Sequence, residues 1–243
     1  WEGTAPGAGG VHWLDYEGGP VQSPASWTDH TMVTHESAWW LVPQRVDVNE
    51  DGAAREIVYT GRNIKNRNAG ARPGLFWLAP GEDPTAKWQR HAIDTSLAHP
   101  LHVDRGQFSA EPADERDLVV GGFDTVALHY YTWADSWQRH ALPLPEIDGR
   151  AFNEIWNVKA LPGVGQTRDA ILAVLSQENG SAMVLFQHRE GQYRSRVLKT
   201  LPYTHPMDDR LLLHDLTGDD NPELIVPDSG GGRLIIFQFE RSG

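Results

Sequence analysis

The chain has 243 residues, a formal net charge of −12 and no cysteine, which excludes disulfides, Cys-ligated zinc, iron–sulfur clusters and thiol nucleophiles. A protein that binds duplex nucleic acid by neutralising phosphates is normally basic, so this acidity argues against nucleic acid as a partner. No apolar run reaches the ~18 residues of a helical membrane span, and 24 glycines, 16 prolines and 10 tryptophans suit short strands joined by tight turns.

In chain order, the sequence starts at Trp1 without a Met, as a mature or trimmed product would. Val11-His12-Trp13-Leu14 is the first strand signal, and Trp27-Thr28-Asp29-His30 begins the second. That Trp-x-x-His pattern returns at Trp88-Gln89-Arg90-His91 and Trp137-Gln138-Arg139-His140, at intervals of about 50 to 60 residues, in the range of propeller repeats. His35 follows, with Trp39 and Trp40 just after it. Strand alternation turns one of these two inward, and Trp40 is a candidate stacking face for a sugar ring, with core packing as the plainer role.

Next comes Asp47-Val48-Asn49-Glu50-Asp51-Gly52, with Glu56 beyond it. Oxygen-bearing side chains at alternate positions of a tight loop can converge on one hard cation, and a later carboxylate can complete its shell. Gly52 supplies the left-handed turn. Glu56-Ile57-Val58-Tyr59 is a strand, and the stretch Arg62-Asn63-Ile64-Lys65-Asn66-Arg67-Asn68 follows. Arg62, Lys65 and Arg67 stand out in so acidic a chain: they form either a solvated loop or a site for a carboxylate or sulfate.

Leu75-Phe76-Trp77-Leu78, Asp117-Leu118-Val119-Val120, Val126 to Tyr130, Ala170 to Val174, Met183 to Phe186, Glu223-Leu224-Ile225-Val226 and Leu234 to Phe237 are further strands. All are short and rich in β-branched and aromatic residues, and none carries a sustained helical period. Between them lie His99 (with His102 close behind), Asn153-Glu154 and His205. A second acidic loop, Asp215-Leu216-Thr217-Gly218-Asp219-Asp220, precedes Glu223, and Ser229 to Gly232 reads as a turn. Asn179-Gly180-Ser181 matches a glycosylation sequon, a triplet that arises often by chance. There is no phosphate-binding glycine loop, no G-x-S-x-G and no H-E-x-x-H.

These runs predict an all-β fold, a β-propeller of about five blade-like units with four strands each, named a to d from the inside outward. The units fall at about 1–37, 38–95, 96–145, 146–201 and 202–243 of a single domain. Residues 38–94, 99–142 and 152–201 supply complete sets; 204–240 supply a, b and c, and 11–32 supply c and d. One c-type strand is thereby in excess, so ring closure stays open, and solenoid and sandwich arrangements remain alternatives.

Strand, D-x-[DN]-x-D-G loop, strand resembles the FG-GAP/VCBS repeat over nearly the whole chain. The match is good at Asp47, Asn49, Asp51 and Gly52. It is fair at Asp215, Thr217 and Asp219, where Asp220 stands in place of glycine. The resemblance implies an extracellular or cell-surface (or periplasmic) propeller with Ca2+ held by Asp47, Asn49, Asp51 and Glu56, and by Asp215, Thr217, Asp219 and Glu223. Ser109 to Arg116 and Pro162 to Arg168 lack these ligands, so two units of the five are expected to carry cations, as structural staples of the a–b turn.

In a propeller the d–a and b–c connections open on one face, which would gather His35, His99, His205 and Glu154 around a funnel. Imidazoles so placed can ligate a transition metal, act as general acid or base, hydrogen-bond a sugar, or merely cap their turns. Three functions are consistent with this. The first is binding of a carbohydrate, uronate-containing or sulfated, with Arg62, Lys65, Arg67, Trp40 and Glu154 as contacts. The second is a polysaccharide lyase or sugar dehydratase working by β-elimination, with His35, His99 and His205 as catalytic groups. The third is a protein-interaction subunit. FG-GAP-type propellers include lectins, integrin heads and sugar-cleaving enzymes, and fold alone does not choose among them.

Overall fold

The computed structural model describes residues 10–34, 43–61, 73–97, 99–109, 116–123, 127–149, 151–152, 154–164, 167–177, 180–202, 211–219, 221–228 and 231–239. The chain divides into two compact units, Trp1–Pro100 and Leu101–Gly243. Strands dominate both, and among the described residues the one helical element is a 3-10 turn at Pro24–Ser26. No helix among them is long and apolar enough to cross a membrane.

In the first unit, β1 (Gly10–Tyr16) and β2 (Trp27–Thr34) form an antiparallel hairpin. Beside it β3 (Gln44–Val46), β4 (Glu56–Gly61), β5 (Gly74–Ala79) and β6 (Gln89–Asp94) form a four-stranded sheet in chain order. Period-two alternation puts Val11 and Met32 of the hairpin on the face that meets Tyr59, Phe76 and Leu78 of the sheet. Two polar links cross the same seam: the Trp88 amide donates to the Met32 carbonyl at 3.0 Å, and the Trp13 indole donates to the Pro84 carbonyl at 3.2 Å.

The second unit repeats the four-stranded meander twice. β7 (Pro100–Arg105), β8 (Leu118–Gly122), β9 (Ala127–Trp133) and β10 (Trp137–Pro143) form one sheet. β11 (Glu154–Leu161), β12 (Ala170–Gln177), β13 (Gly180–Arg189) and β14 (Gln192–Leu201) form the next. β15 (Leu212–His214), β16 (Glu223–Asp228) and β17 (Arg233–Phe237) make a sheet of three. Each sheet is open and antiparallel with its strands in chain order, so each strand pairs with its neighbour in sequence.

The middle sheet explains why some runs in the sequence are apolar throughout. Ile171, Ala173 and Leu175 of β12 face the β7–β10 sheet with Val119, Leu128 and Ile155. The alternating Ala170, Leu172 and Val174 face the opposite way, toward Leu224 and Val226 of β16. A strand covered on both faces has no polar side to show. Each such aliphatic side chain contributes about 1.5–3 kcal/mol by leaving water, and Leu172→Ala would remove about 2–5 kcal/mol by opening a cavity.

The packing of β8 against β11 is set by a glycine. A Cβ at Gly121 would stand 2.8 Å from Ile155 Cγ2 and 2.9 Å from Val158 Cγ1, so only a bare backbone fits there. Asp104 at the end of β7 reaches the same strand: its carboxylate accepts the Ala160 amide at 2.9 Å and lies 2.9 Å from Lys159 Nζ.

Candidate functional site

The two ends of each sheet are built differently. At the a–b end, the turn between β3 and β4 is held by its own side chains. The Asp51 amide lies 3.1 Å from both Asp47 Oδ1 and Asn49 Oδ1, and the Gly52 amide donates to Asp47 Oδ2 at 2.8 Å. Asp47 and Asn49 thus both turn an oxygen to the Asp51 amide, while Asp51 turns its own oxygens to Ala53 and Arg55. Glu50 and Gly52 take left-handed conformations, at φ 60° and 83°. Arg55 pairs with Asp51, and this hydrogen bond holds the Asp51 carboxyl below the usual carboxylate range.

The turn between β15 and β16 repeats the plan. Asp215 Oδ1 accepts the Gly218 amide at 2.7 Å and the Asp219 amide at 3.2 Å, and Asp219 Oδ1 accepts the Asn221 amide at 2.9 Å. Here Gly218, at φ 76°, occupies the fourth loop position that Glu50 holds in the first. The fourth position is thus left-handed in both turns. The Asp47, Asn49 and Asp51 set, and the Asp215, Thr217 and Asp219 set, have the oxygen chemistry of a hard-cation loop. In the first set the Arg55 charge already occupies part of that role. Among the described residues no three His, Asp or Glu side chains form a ready metal-binding group.

A carboxylate stands at the entrance to the second strand of each of the four larger sheets. Glu56 accepts the Val48 amide at 3.2 Å. Glu223 accepts the Leu216 amide at 2.8 Å and the Gln238 side-chain amide at 3.2 Å, and these bonds lower its pKa. Asp117 does most: it accepts the Phe108 amide at 2.8 Å, the Ser109 amide and the Trp133 amide at 3.0 Å. Burial pushes its carboxyl up, against the pull of those amides. Asp169 accepts the Gln107 amide at 2.8 Å, and its own amide donates to the Gln107 carbonyl at 2.8 Å, tying β12 to the preceding sheet. Glu56 and Glu223 appear in the sequence as expected closers of cation loops; Asp117 and Asp169 are not singled out there. Their signal is an acid directly before an apolar run, in all four positions.

The outer strands carry a second repeat. Trp13 lies directly across from His30, Trp77 from His91, Tyr130 from His140, and His188 from Tyr193. The first three pairs stack with ring centroids 4.7, 4.2 and 4.6 Å apart, and the fourth meets edge-on at 5.3 Å. These histidines are absorbed into ladder pairs. His140 and His188 are both shifted down, in each case chiefly by burial. Trp27, Trp88 and Trp137, which open the outer strands, anchor turns by donating their indole N–H to the carbonyls of Val21, Pro84 and Arg116.

At the d–a end the picture is sparser. His35, Trp40, Arg62, Lys65, Arg67 and His205 lie outside the described residues. His99 sits half-buried in the connection from β6 to β7, the place the strand order predicts for it. His102, two residues into β7, is buried, and desolvation lowers its pKa to about 4, which marks it as a neutral interior group.

Glu154 opens β11 in the corresponding place of the second unit, and its Oε2 accepts the Trp156 indole N–H at 3.2 Å. Trp156 is the extra residue where the register of β11 on β12 shifts between Ile155 and Asn157, and its ring packs beside the core of Leu172 and Val174. Phe123, just past β8, meets the Trp156 ring at 4.8 Å with the planes tilted by 60°. All three are half-buried. Glu154 is thus joined by two aromatic rings that the sequence reading does not select.

No protein-family model, curated protein or solved structure matches the chain.

Proposed function

We propose that this chain is an extracellular carbohydrate-binding β-propeller of the FG-GAP/VCBS type, whose ligand is engaged at the d–a ends of its sheets. The observation that carries the reading is the partly exposed Trp156 ring, which rests on the core that holds Leu172 and Val174 and is joined by Glu154 and Phe123. An indole face beside a fixed carboxylate suits a pyranose, which offers C–H groups to the ring and hydroxyls to the acceptor. The opposite end favours a structural role, because Asp47, Asp117, Asp215 and Glu223 spend their oxygens on backbone amides of their own turns. In this reading Ca2+ reinforces the Asp215 and Asp47 turns. On the same reading Arg62, Lys65 and Arg67 carry the charge for a uronate or sulfate; they, with Trp40, His35 and His205, lie outside the described residues.

Calorimetric titration with oligogalacturonate and oligoglucuronate tests this. Trp156→Ala and His99→Ala are expected to weaken binding about tenfold or more, His99→Ala without a change in thermal melting and Trp156→Ala with a lowered melting temperature, because that ring also packs on the core. Binding that both variants retain in full would refute the assignment. Ultraviolet-absorbing unsaturated products appearing in the same mixtures would instead identify a lyase acting by β-elimination, with the histidines as its acid and base.

A further inference from the structure

The turns ahead of β4 and β16 carry sets of acidic residues, whereas the turn ahead of β12 has no such set and closes on Thr167-Arg168-Asp169. Arg168 is half-buried. Beside it the β7–β10 and β11–β14 sheets meet across one core, and each brings a tyrosine and a histidine to the seam. Tyr130 and His140 stack at 4.6 Å, and Tyr193 and His188 meet edge-on at 5.3 Å. The two pairs touch across the seam, where Tyr130 meets Tyr193 edge-on at 5.4 Å.

Electrostatics place the Arg168 guanidinium among these four rings. Burial raises both phenols and lowers both imidazoles, and the Arg168 charge pulls all four down. A guanidinium drawn partly out of water calls for an anionic partner. Asp117 and Asp169 act on the same rings, but they turn their oxygens to the amides of Phe108, Ser109, Trp133 and Gln107. His188 supplies a second, independent sign. It is 7% exposed, its Nδ1 lies 3.1 Å from the Thr167 hydroxyl, and its buried Nε2 has no partner among the described residues. With Thr167 donating to Nδ1, Nε2 carries the proton and is a donor. It lies on the face of β13 that meets the seam, as Phe186 two residues before it shows.

We propose that the a–b end of this seam binds a tetrahedral oxyanion, phosphate or sulfate, on the Arg168 guanidinium, with His188 Nε2–H as a further donor. The planar fork of an arginine suits two oxygens of such an anion. Thr167 is exposed, so the anion reaches the guanidinium from that side. The chemistry inverts that of the acidic turns: an anion on Arg168 links the β7–β10 and β11–β14 sheets, where the turns at Asp47 and Asp215 suit a cation. The site lies within these two sheets and is independent of any sugar bound at the d–a ends.

The probe is inorganic phosphate, titrated into the intact chain against sodium chloride of matched ionic strength and followed by thermal melting; sulfate forms a second arm. Both anions strengthen folding in general by exclusion from protein surfaces, so the informative quantity is a saturable rise in melting temperature beyond that background. Arg168→Gln should weaken the apparent affinity about tenfold or more, and His188→Gln by a smaller factor. In the parent chain the Arg168 Nε and His188 ring resonances should move with the same midpoint as the melting curve, a reading that needs no variant to fold. Three results would overturn the inference. The first is a rise that never saturates and is equal in the parent and Arg168→Gln. The second is Arg168 and His188 resonances that phosphate and sulfate leave unmoved. The third is an Arg168→Gln variant that melts lower by the same amount with and without phosphate, which would give the guanidinium a partner within the chain.

Discussion

Asp117 offers the sharpest test of how the sheets are held together. Its carboxylate has no solvent exposure and accepts three main-chain amides, from Phe108, Ser109 and Trp133. These lie before β8 and at the far end of β9, so one side chain fastens three segments. Asp117→Ala leaves all three donors without that acceptor. A fully buried orphan amide costs about 1–3 kcal/mol; Phe108 is fully buried, and Ser109 and Trp133 are half-buried, so water can relieve part of the loss at the latter two. The sum is about 3–5 kcal/mol, a large share of the stability of an ordinary domain. Asp117→Asn keeps the shape and one acceptor oxygen and should lose roughly half as much. Glu56→Ala, which frees the single Val48 amide, should cost only about 1 kcal/mol. Urea denaturation followed by tryptophan fluorescence reads all three. A loss below about 1 kcal/mol for Asp117→Ala, or no gradation from Ala to Asn, would refute the staple.

Gly121→Ala forces a Cβ against Ile155 and Val158 and should destabilise by about 1–3 kcal/mol in the same assay; a neutral result would mean that the β8–β11 seam yields. His102 is neutral in the fold down to about pH 4, against an ordinary 6.5, so the unfolded chain binds the extra proton. Stability should be unaffected by this group above pH 6.5, decline by up to about 3 kcal/mol as pH falls toward 4, and level off below. His102→Leu should flatten that part of the profile relative to the parent, and parallel profiles would contradict it. Ca2+ should raise the melting temperature through the Asp215 turn, and Asp219→Ala should abolish most of the increment. Arg55→Gln, by releasing Asp51, should enlarge it; a calcium response indifferent to both substitutions would remove cations from these turns.

Much of the architecture was legible because its causes are local. The apolar runs at Glu56, Asp117, Ala170 and Glu223 announce strands, and their continuous hydrophobicity reflects burial on both faces, as Leu172 and Ile171 show by pointing into different cores. The Trp-x-x-His repeat marks the last strands of three sheets, β2, β6 and β10, but its physical meaning lies in register: His30, His91 and His140 meet rings on the strand before, and pairing across a ladder cannot be read from spacing within one strand. Asp117 and Asp169 escaped notice for a similar reason. Their partners, Trp133 and Gln107, are distant in sequence, whereas Asp47 and Asp215 hold turns that close on themselves. At the d–a end the sequence selected Glu154, while Phe123 and Trp156 come together only through the packing of β8 on β11.

We propose a division of labour between sheet ends, with a–b turns stapled for stability and d–a connections left to a ligand. Amide chemical-shift mapping of the 15N-labelled chain during titration with an oligouronate tests it most directly. Shifts concentrated at His99, Glu154 and Trp156, with Asp47 to Gly52 and Asp215 to Asp219 unmoved, are the expected outcome. Saturable shifts centred on those acidic turns, with His99 and Trp156 silent, would contradict it.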